Sequence, residues 1–479
     1  MTLSRLWAFL AVALPVLAAM IASLSTVDLT YQLRAGSEIL DARAIPTTDT
    51  WTFTAFGLPW TDQQWGAQVI LELVFRLAGW TGLIVFRAAL IALIFDCLLT
   101  IGLRRGLGAR RASWLTQAAF LVAAPALALR PQLLGMACFA IVLLLVADRR
   151  EHPARLWLIP VIVTLWANLH GSFFLGPLVL GLAWLEDLYD KVAHPHRTLL
   201  VAFVSALAAC LTPFGPMVWA YAIGLSTNPG VTSRITEWQP TNVRDATGLL
   251  YFGSVAAVVI LMARRGRPTP WPTLLWLGTF AFIGAYAARG QAWWPLVAVF
   301  AIAGVLVTGP SDASSESARL DPPDTRLIRR LNLVVVGVLA LATIALLPLW
   351  RPVEPATGAP VGVLSDAPPG ITAALRDVAG PGDRIFNPQP WGSWFEFALP
   401  DTLVAIDSRI ELFPTAVWDD YAQVAAGVDG WQEILESWGA DFVVIEGVDA
   451  EFMARLETAG WRPVVAGQTG SIWTRGDPG

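Results

Sequence analysis

The chain has 479 residues, 55% of them hydrophobic and only 14% charged, against roughly 25% charged in an average soluble domain. That balance excludes a soluble globular enzyme and a disordered chain, and recurring runs of about 20 apolar residues require a multi-span membrane protein. The net charge of −5 is uneven: residues 352–479 hold 6 Lys and Arg against 19 Asp and Glu (net −13), whereas residues 1–351 hold 26 against 18 (net +8).

Apolar runs occur at 6–25, 80–103, 113–129, 132–147, 156–169, 172–187, 198–213, 248–263, 271–287, 291–308 and 331–350. They predict about 11 spans, with breaks expected at Pro131 and Gly171. The first run lacks a small-residue cleavage site before a soluble domain, so it reads as a retained span. The bias of Lys and Arg between alternate loops sets orientation. With the N-terminus inside, the inner loops hold 17 Lys and Arg, among them Arg104, Arg149, Arg264, Arg267 and Arg319; the outer segments before residue 351 hold 7. Within the second span, Arg87 and Asp96 are nine residues apart. They lie on opposite helix faces, cannot pair, and are expected to snorkel to the two ends.

The first outer segment, 26–79, opens with Asp28. Residues 29–41 predict a short helix ended by Ile45-Pro46. Trp51–Phe56 reads as extended, and Thr61 or Asp62 is expected to cap a second helix. Trp51, Trp60 and Trp65 are expected at the headgroup level. Asp49, Asp62, Gln63 and Gln64 stand beside these apolar pieces, more polar chemistry than an anchor needs. The predicted topology puts further polar groups on the same outer face: Arg130 and Gln132 at a hinge, Asn168 and His170 in WANLHGSF, Arg234, Glu237, and Arg289 in ARGQAWW. Ionisable groups at membrane depth are costly and face a cavity or a partner. A lone His at a helix end is more often structural than a base, and with only 4 His in the chain a multi-His metal site is excluded. The 3 Cys sit in apolar runs, which excludes a disulfide framework. No phosphate-binding P-loop, dinucleotide fingerprint or HExxH occurs.

Beyond Arg351 the pattern changes. Extended runs at 384–387, 402–407, 441–446, 461–466 and 471–474 alternate with helical patterns at 370–379, 415–427, 431–438 and 449–459. They predict a mixed α/β sheet that closes in a hairpin near Gly467–Gly470, with Gly380, Gly439 and Gly460 as helix stops. Two patches are richer than a scaffold needs. One contains Trp391 and Trp394, suited either to stacking on sugars or to docking on the membrane domain; the other contains Asp407 and Arg409. The elements thus predict a polytopic α-helical membrane domain over 1–350 and an extracytoplasmic α/β domain over 351–479.

A span followed at once by Asp, a first outer loop with two juxtamembrane helices, about eleven spans and a C-terminal α/β domain together resemble a GT-C glycosyltransferase. The stretch DLTYQLRAGSEIL…IPTTDTWTFTAFGLPWTDQQW, with RPQ, WANLHGSF, EWQP and WGSW…AIDSR, resembles a bacterial branch near glycosyltransferase family 39. The resemblance implies a plasma-membrane enzyme that takes a sugar from a polyprenyl-phosphate donor to a glycan, lipid or protein acceptor, with no nucleic-acid partner. It implies Asp28 as the catalytic base. Asp49, Asp62, Gln64, Trp65, Arg130, Gln132, Asn168, His170, Glu237, Arg289, Trp391, Trp394, Asp407 and Arg409 are the candidates for substrate binding. Two departures stand out. Val27 and Leu29 flank Asp28 where protein mannosyltransferases usually show a paired acid, and the loop has no DxD. The acceptor class and a divalent cation stay open. A secondary transporter and a non-catalytic envelope assembly or binding protein remain as alternatives; no convincing internal repeat supports the transporter.

Overall fold

The computed structural model describes residues 1–227, 236–265, 268–307 and 326–475. Arg234, Arg267 and Arg319 lie outside these ranges. The chain divides into two compact units, one formed by 1–22 with 84–347 and the other by 23–83 with 348–479.

The first unit is helical. Each of the eleven apolar runs carries a helix: α1 (Leu3–Ile21), the distal part of α3 (Trp65–Arg104), α4 (Ala109–Ala123), α5 (Pro131–Ala147), α6 (Ile159–Leu169), α7 (Leu175–Tyr189), α8 (His196–Ala208), α10 (Ala246–Ala263), α11 (Trp271–Tyr286), α12 (Trp294–Leu306) and α13 (Arg326–Ala345). A further helix, α9 (Met217–Thr227), is absent from the sequence expectation. Six helical stretches among the described residues are long and apolar enough to cross a bilayer. The breaks fall where the breakers stand. Pro131 opens α5 behind an extended Arg130, and an extended His170 separates α6 from the 3-10 turn before α7.

Arg87 does not snorkel. Its Nη2 donates to the carbonyl oxygens of Ala19 and Ala22, each at 2.5 Å. It thereby satisfies carbonyls that the end of α1 leaves without intrahelical donors. The basic loops are also internally tied. Buried Arg149 forks onto Asp187, with Nε at 3.0 and 3.1 Å from the two oxygens, and Thr198 donates to the same carboxylate at 2.8 Å.

The second unit holds a five-stranded mixed sheet in the order β6-β5-β7-β9-β8, formed by β5 (Arg384–Phe386), β6 (Leu403–Val404), β7 (Phe442–Glu446), β8 (Arg462–Ala466) and β9 (Gly470–Thr474). β5 runs parallel to β6 and β7, while β9 pairs antiparallel with β7 and β8. All five expected strands form, and β8 and β9 make the closing hairpin. Gly439 and Gly460 stop their helices at φ 61° and 87°, left-handed angles that glycine adopts without a Cβ clash. Gly380 does not: α14 (Pro369–Val378) already ends in an extended Ala379.

The first outer segment is part of this unit's core. β1 (Leu24–Ser25) pairs in parallel with β4 (Leu364–Ser365), and α2 (Thr26–Ala42) follows it directly, while β2 (Val353–Glu354) and β3 (Ala359–Pro360) form a separate antiparallel pair. Residues 47–60 fold back on themselves through a Thr48–Pro59 bridge, and Thr52 bridges to Val404 on β6. Trp51 and Trp60 do not face headgroups: they are buried with Ile406, Leu412 and Phe413. Two glycines permit the close packing. A Cβ on Gly36 would lie 2.3 Å from the Gln68 carbonyl oxygen, and one on Gly392 would lie 2.0 Å from that of Ile406. The glycine of WGSW is therefore the contact that seats α15 (Gln389–Ala398), a helix the strand pattern hides, against the strand leading to Asp407.

Candidate functional site

Asp28 occupies the first turn of α2, where a carboxylate is favoured by the unpaired N–H groups of the helix start. It is half-buried. The two C-terminal motifs hold this turn in place. Ser408 donates to the Val27 carbonyl oxygen at 2.6 Å, and the hydroxyls of Ser408 and Ser393 are 2.8 Å apart. One turn on, Tyr31 reports its surroundings. Burial, and then the carboxylates of Asp28, Glu411, Asp62 and Asp407, push its phenol well above its ordinary range. Four acids thus share one neighbourhood around a single ring.

Asp62 is 3% exposed. Its Oδ1 accepts from Gln68 Nε2 at 2.7 Å, and its Oδ2 is buried without a partner. Burial raises the carboxyl to about 7, against the opposing pull of Gln68 and Arg409, with Glu411 adding to the rise. α3 begins at Trp65, and the Gln64 backbone N–H just before it donates to the Asp62 carboxyl. The Gln64 side chain accepts from Gln32 Nε2 at 3.0 Å across to α2.

Asp49, Asp407 and Arg409 come together in the core of the same unit. Arg409 Nη2 lies 2.7 Å from Asp49, 2.5 Å from Asp407 and 3.4 Å from Glu396, and all four side chains are at most 1% exposed. The guanidinium sits 4.2 Å from the Trp51 ring centre and 4.7 Å from that of Trp60, within cation–π range. Burial alone would lower the Arg409 pKa; Asp407, Glu396 and Asp49 outweigh it and raise it. Burial and the neighbouring Asp407 raise Glu396, which favours its protonated form.

In the helical unit, Arg130, Gln132, Glu237 and Arg289 line a cavity of about 170 Å³. Arg130 Nη1 donates to Glu237 Oε1 at 2.7 Å, with the two side chains 29% and 41% exposed. Gln132 donates to the Arg289 carbonyl oxygen at 3.3 Å, and the Arg289 guanidinium lies 4.6 Å from the Trp238 ring centre. Burial would raise the Glu237 carboxyl, but Arg130 and Arg289 overcome that and hold it below its ordinary value.

The remaining candidates make their hydrogen bonds outside these groups, with His170 close enough to Arg289 to feel its charge. His170 caps the turn that follows it: Nδ1 accepts from the Ser172 backbone N–H at 3.2 Å and lies 2.7 Å from the Ser172 hydroxyl. Burial, and secondarily Arg289, lower it to about 3, so the ring is neutral. Asn168 donates to the carbonyl oxygens of Thr164 and Leu211. Trp391 and Trp394 are buried within the second unit, and Trp394 Nε1 donates to Thr372 Oγ1 at 2.8 Å. Sequence reasoning overlooked Tyr31, Glu396 and Glu411. Only Glu396 had a local signal, since it stands one helical turn past Ser393 on the face that Gly392 brings close.

Among the described residues, no three His, Cys, Asp or Glu side chains are grouped as a metal site. No family model and no curated protein matches the sequence. Solved structures do match. The oligosaccharyltransferase AglB of Archaeoglobus fulgidus, in complex with an inhibitory peptide and a dolichol-phosphate, aligns over 91% of this chain and 69% of its own at 10% identity and a TM-score of 0.56. The A. fulgidus oligosaccharyltransferase tethered to an acceptor peptide aligns over 92% and 69% at 12% identity and a TM-score of 0.58. The mycobacterial arabinofuranosyltransferase AftD aligns over 99% of this chain and 42% of its own at 17% identity and a TM-score of 0.51. At these identities the likeness is one of fold. The chain is a helical membrane protein with a C-terminal mixed α/β region and a GT-C-like fold.

Proposed function

We propose that the chain is an integral membrane glycosyltransferase that moves a sugar from a polyprenyl-phosphate donor to an acceptor hydroxyl, with Asp28 as general base. The observation that carries this reading is the half-exposed Asp28 at the start of the helix that follows the first span, in a fold similar to that of an enzyme solved with dolichol-phosphate. In this reading the acceptor attacks the anomeric carbon as the lipid phosphate leaves, and Asp28 takes the acceptor proton. Arg130 and Arg289 stabilise charge on the departing phosphate, Arg by a bidentate fork. A single direct displacement inverts the anomeric centre.

The reading also carries the location and direction. The enzyme lies in a bacterial plasma membrane with its N-terminus in the cytoplasm and residues 351–479 outside, as the loop charges require. The test is transfer of radiolabelled sugar from polyprenyl-phosphate donors in membranes, normalised to folded protein. Asp28→Asn keeps shape and hydrogen bonding but removes proton acceptance, so turnover falls by about 10²-fold or more. Near wild-type turnover in that variant means another acid is the base, with Asp62 and Asp49 next in order. No turnover by the wild type with any such donor favours the assembly or transport alternatives.

A further inference from the structure

Asp96 lies in the apolar part of α3 and is exposed. Unlike Arg87, it makes no hydrogen bond or ion pair with any described residue. It lines a cavity of about 660 Å³ between α1 and α13, whose other walls include Ala8, Val12, Ala13, Leu339 and Ala340. Asp96 stands eight residues before Arg104, where α3 ends, hence about 12 Å along the helix axis. An aspartate side chain is too short to cover that distance. A carboxylate held at such depth is costly unless a cation or donor meets it.

We propose that this groove is the docking site of a transmembrane helix from another polypeptide, one that carries a lysine or arginine at the depth of Asp96. Lipid tails offer no donor, and headgroup amines stay at the interface. A second copy of this chain has no suitable cation: Arg87 is the only Lys or Arg inside the eleven apolar runs, and it is bound to the end of α1. A long basic side chain on a separate helix meets both conditions, reaching down from its own backbone to the acid. The alanines at 8, 13 and 340 leave room for a helix backbone to approach closely, as small residues do between spans.

The probe is a synthetic Leu/Ala helix of about 24 residues with one Lys about 12 Å from its end, compared with a twin carrying Leu there. Binding of each to the full chain in lipid nanodiscs is read by energy transfer. The Lys peptide is expected to bind about tenfold tighter, the scale of one interhelical polar contact. Asp96→Asn should erase that preference, and Asp96→Lys should transfer it to a peptide bearing Glu. The comparison of the two peptides on the wild type needs no variant to fold. Equal binding of both, binding of neither, or a preference that survives Asp96→Asn overturns the proposal.

Discussion

An arginine facing carboxylates is built in each unit, and the two versions have opposite character. Arg409 sits dry among Asp49, Asp407 and Glu396, with tryptophan rings nearby and almost no exposed surface. Arg130 meets one carboxylate, is about a third exposed, and faces a cavity that a second arginine shares. Residue type alone does not separate them, and both were candidates for substrate binding. Burial does. A pair sealed from water joins Asp49 to Arg409 across 360 residues of sequence and acts as a fastener of the second unit. A pair open to water can exchange Glu237 for an incoming anion at little cost.

The sharpest way to break this contrast is to truncate both arginines. Removing one partner of a buried ion cluster leaves carboxylates without their counter-charge, a loss of about 3–5 kcal/mol. Arg409→Ala is therefore expected to unfold or loosen the second unit, seen as a large fall in melting temperature and rapid proteolysis between residues 348 and 475. Arg409→Lys should also lose stability, because an ammonium cannot fork or stack as a guanidinium does. Arg130→Ala should cost only about 0–1 kcal/mol, the range of exposed pairs. Equal losses at the two sites would show that burial is not the distinction.

The next effect is on activity, and it rests on the proposed function. Arg289 lines the cavity beside Arg130 without a carboxylate bonded to it among the contacts described. Loss of one such charge-stabilising group costs about 10²-fold in turnover. Arg289→Ala should show that loss with little change in melting temperature, and Arg289→Lys should fall between it and wild type. A fall in stability that tracks the fall in turnover would move Arg289 into the class of Arg409.

Much of the architecture could be read from the residues because its causes are local. Apolar runs long enough to bury a helix in lipid, Pro131 at a helix start, and Gly439 and Gly460 at helix ends each act within a few positions. The five strands were legible for the same reason. The first outer segment was not. Its indoles are amphipathic, and nothing within 26–79 tells whether Trp51 meets a headgroup or Ile406 and Phe413, which lie more than 350 positions away. The same holds for the site. Asp28 is singled out by its place after a span, and its role belongs to the proposed function. That Asp49 and Arg409 neutralise one another, and that Glu411 and Asp62 reach Tyr31, are long-range facts that spacing does not encode.

The smallest effect concerns Asp62, which falls between the two extremes: buried like Arg409's partners, yet with one oxygen unpartnered and a carboxyl raised from 3.8 to about 7. The sign follows from linkage. A group whose pKa is higher in the folded state binds its proton more tightly there. Its contribution is fully present below about pH 4, the value of an exposed aspartate, and is lost as pH rises through about 7. Other raised carboxyls, such as Glu396, contribute in the same direction, so the wild-type curve alone does not isolate Asp62. The difference between wild type and Asp62→Asn does. Asparagine mimics the neutral acid and keeps an oxygen for the Gln68 amide. The variant should gain on the wild type steadily between pH 4 and 7 and hold that gain at pH 8, measured by thermal unfolding in detergent. A difference that stays constant across this range would mean that Asp62 is ionised throughout and that its buried oxygen has found a donor.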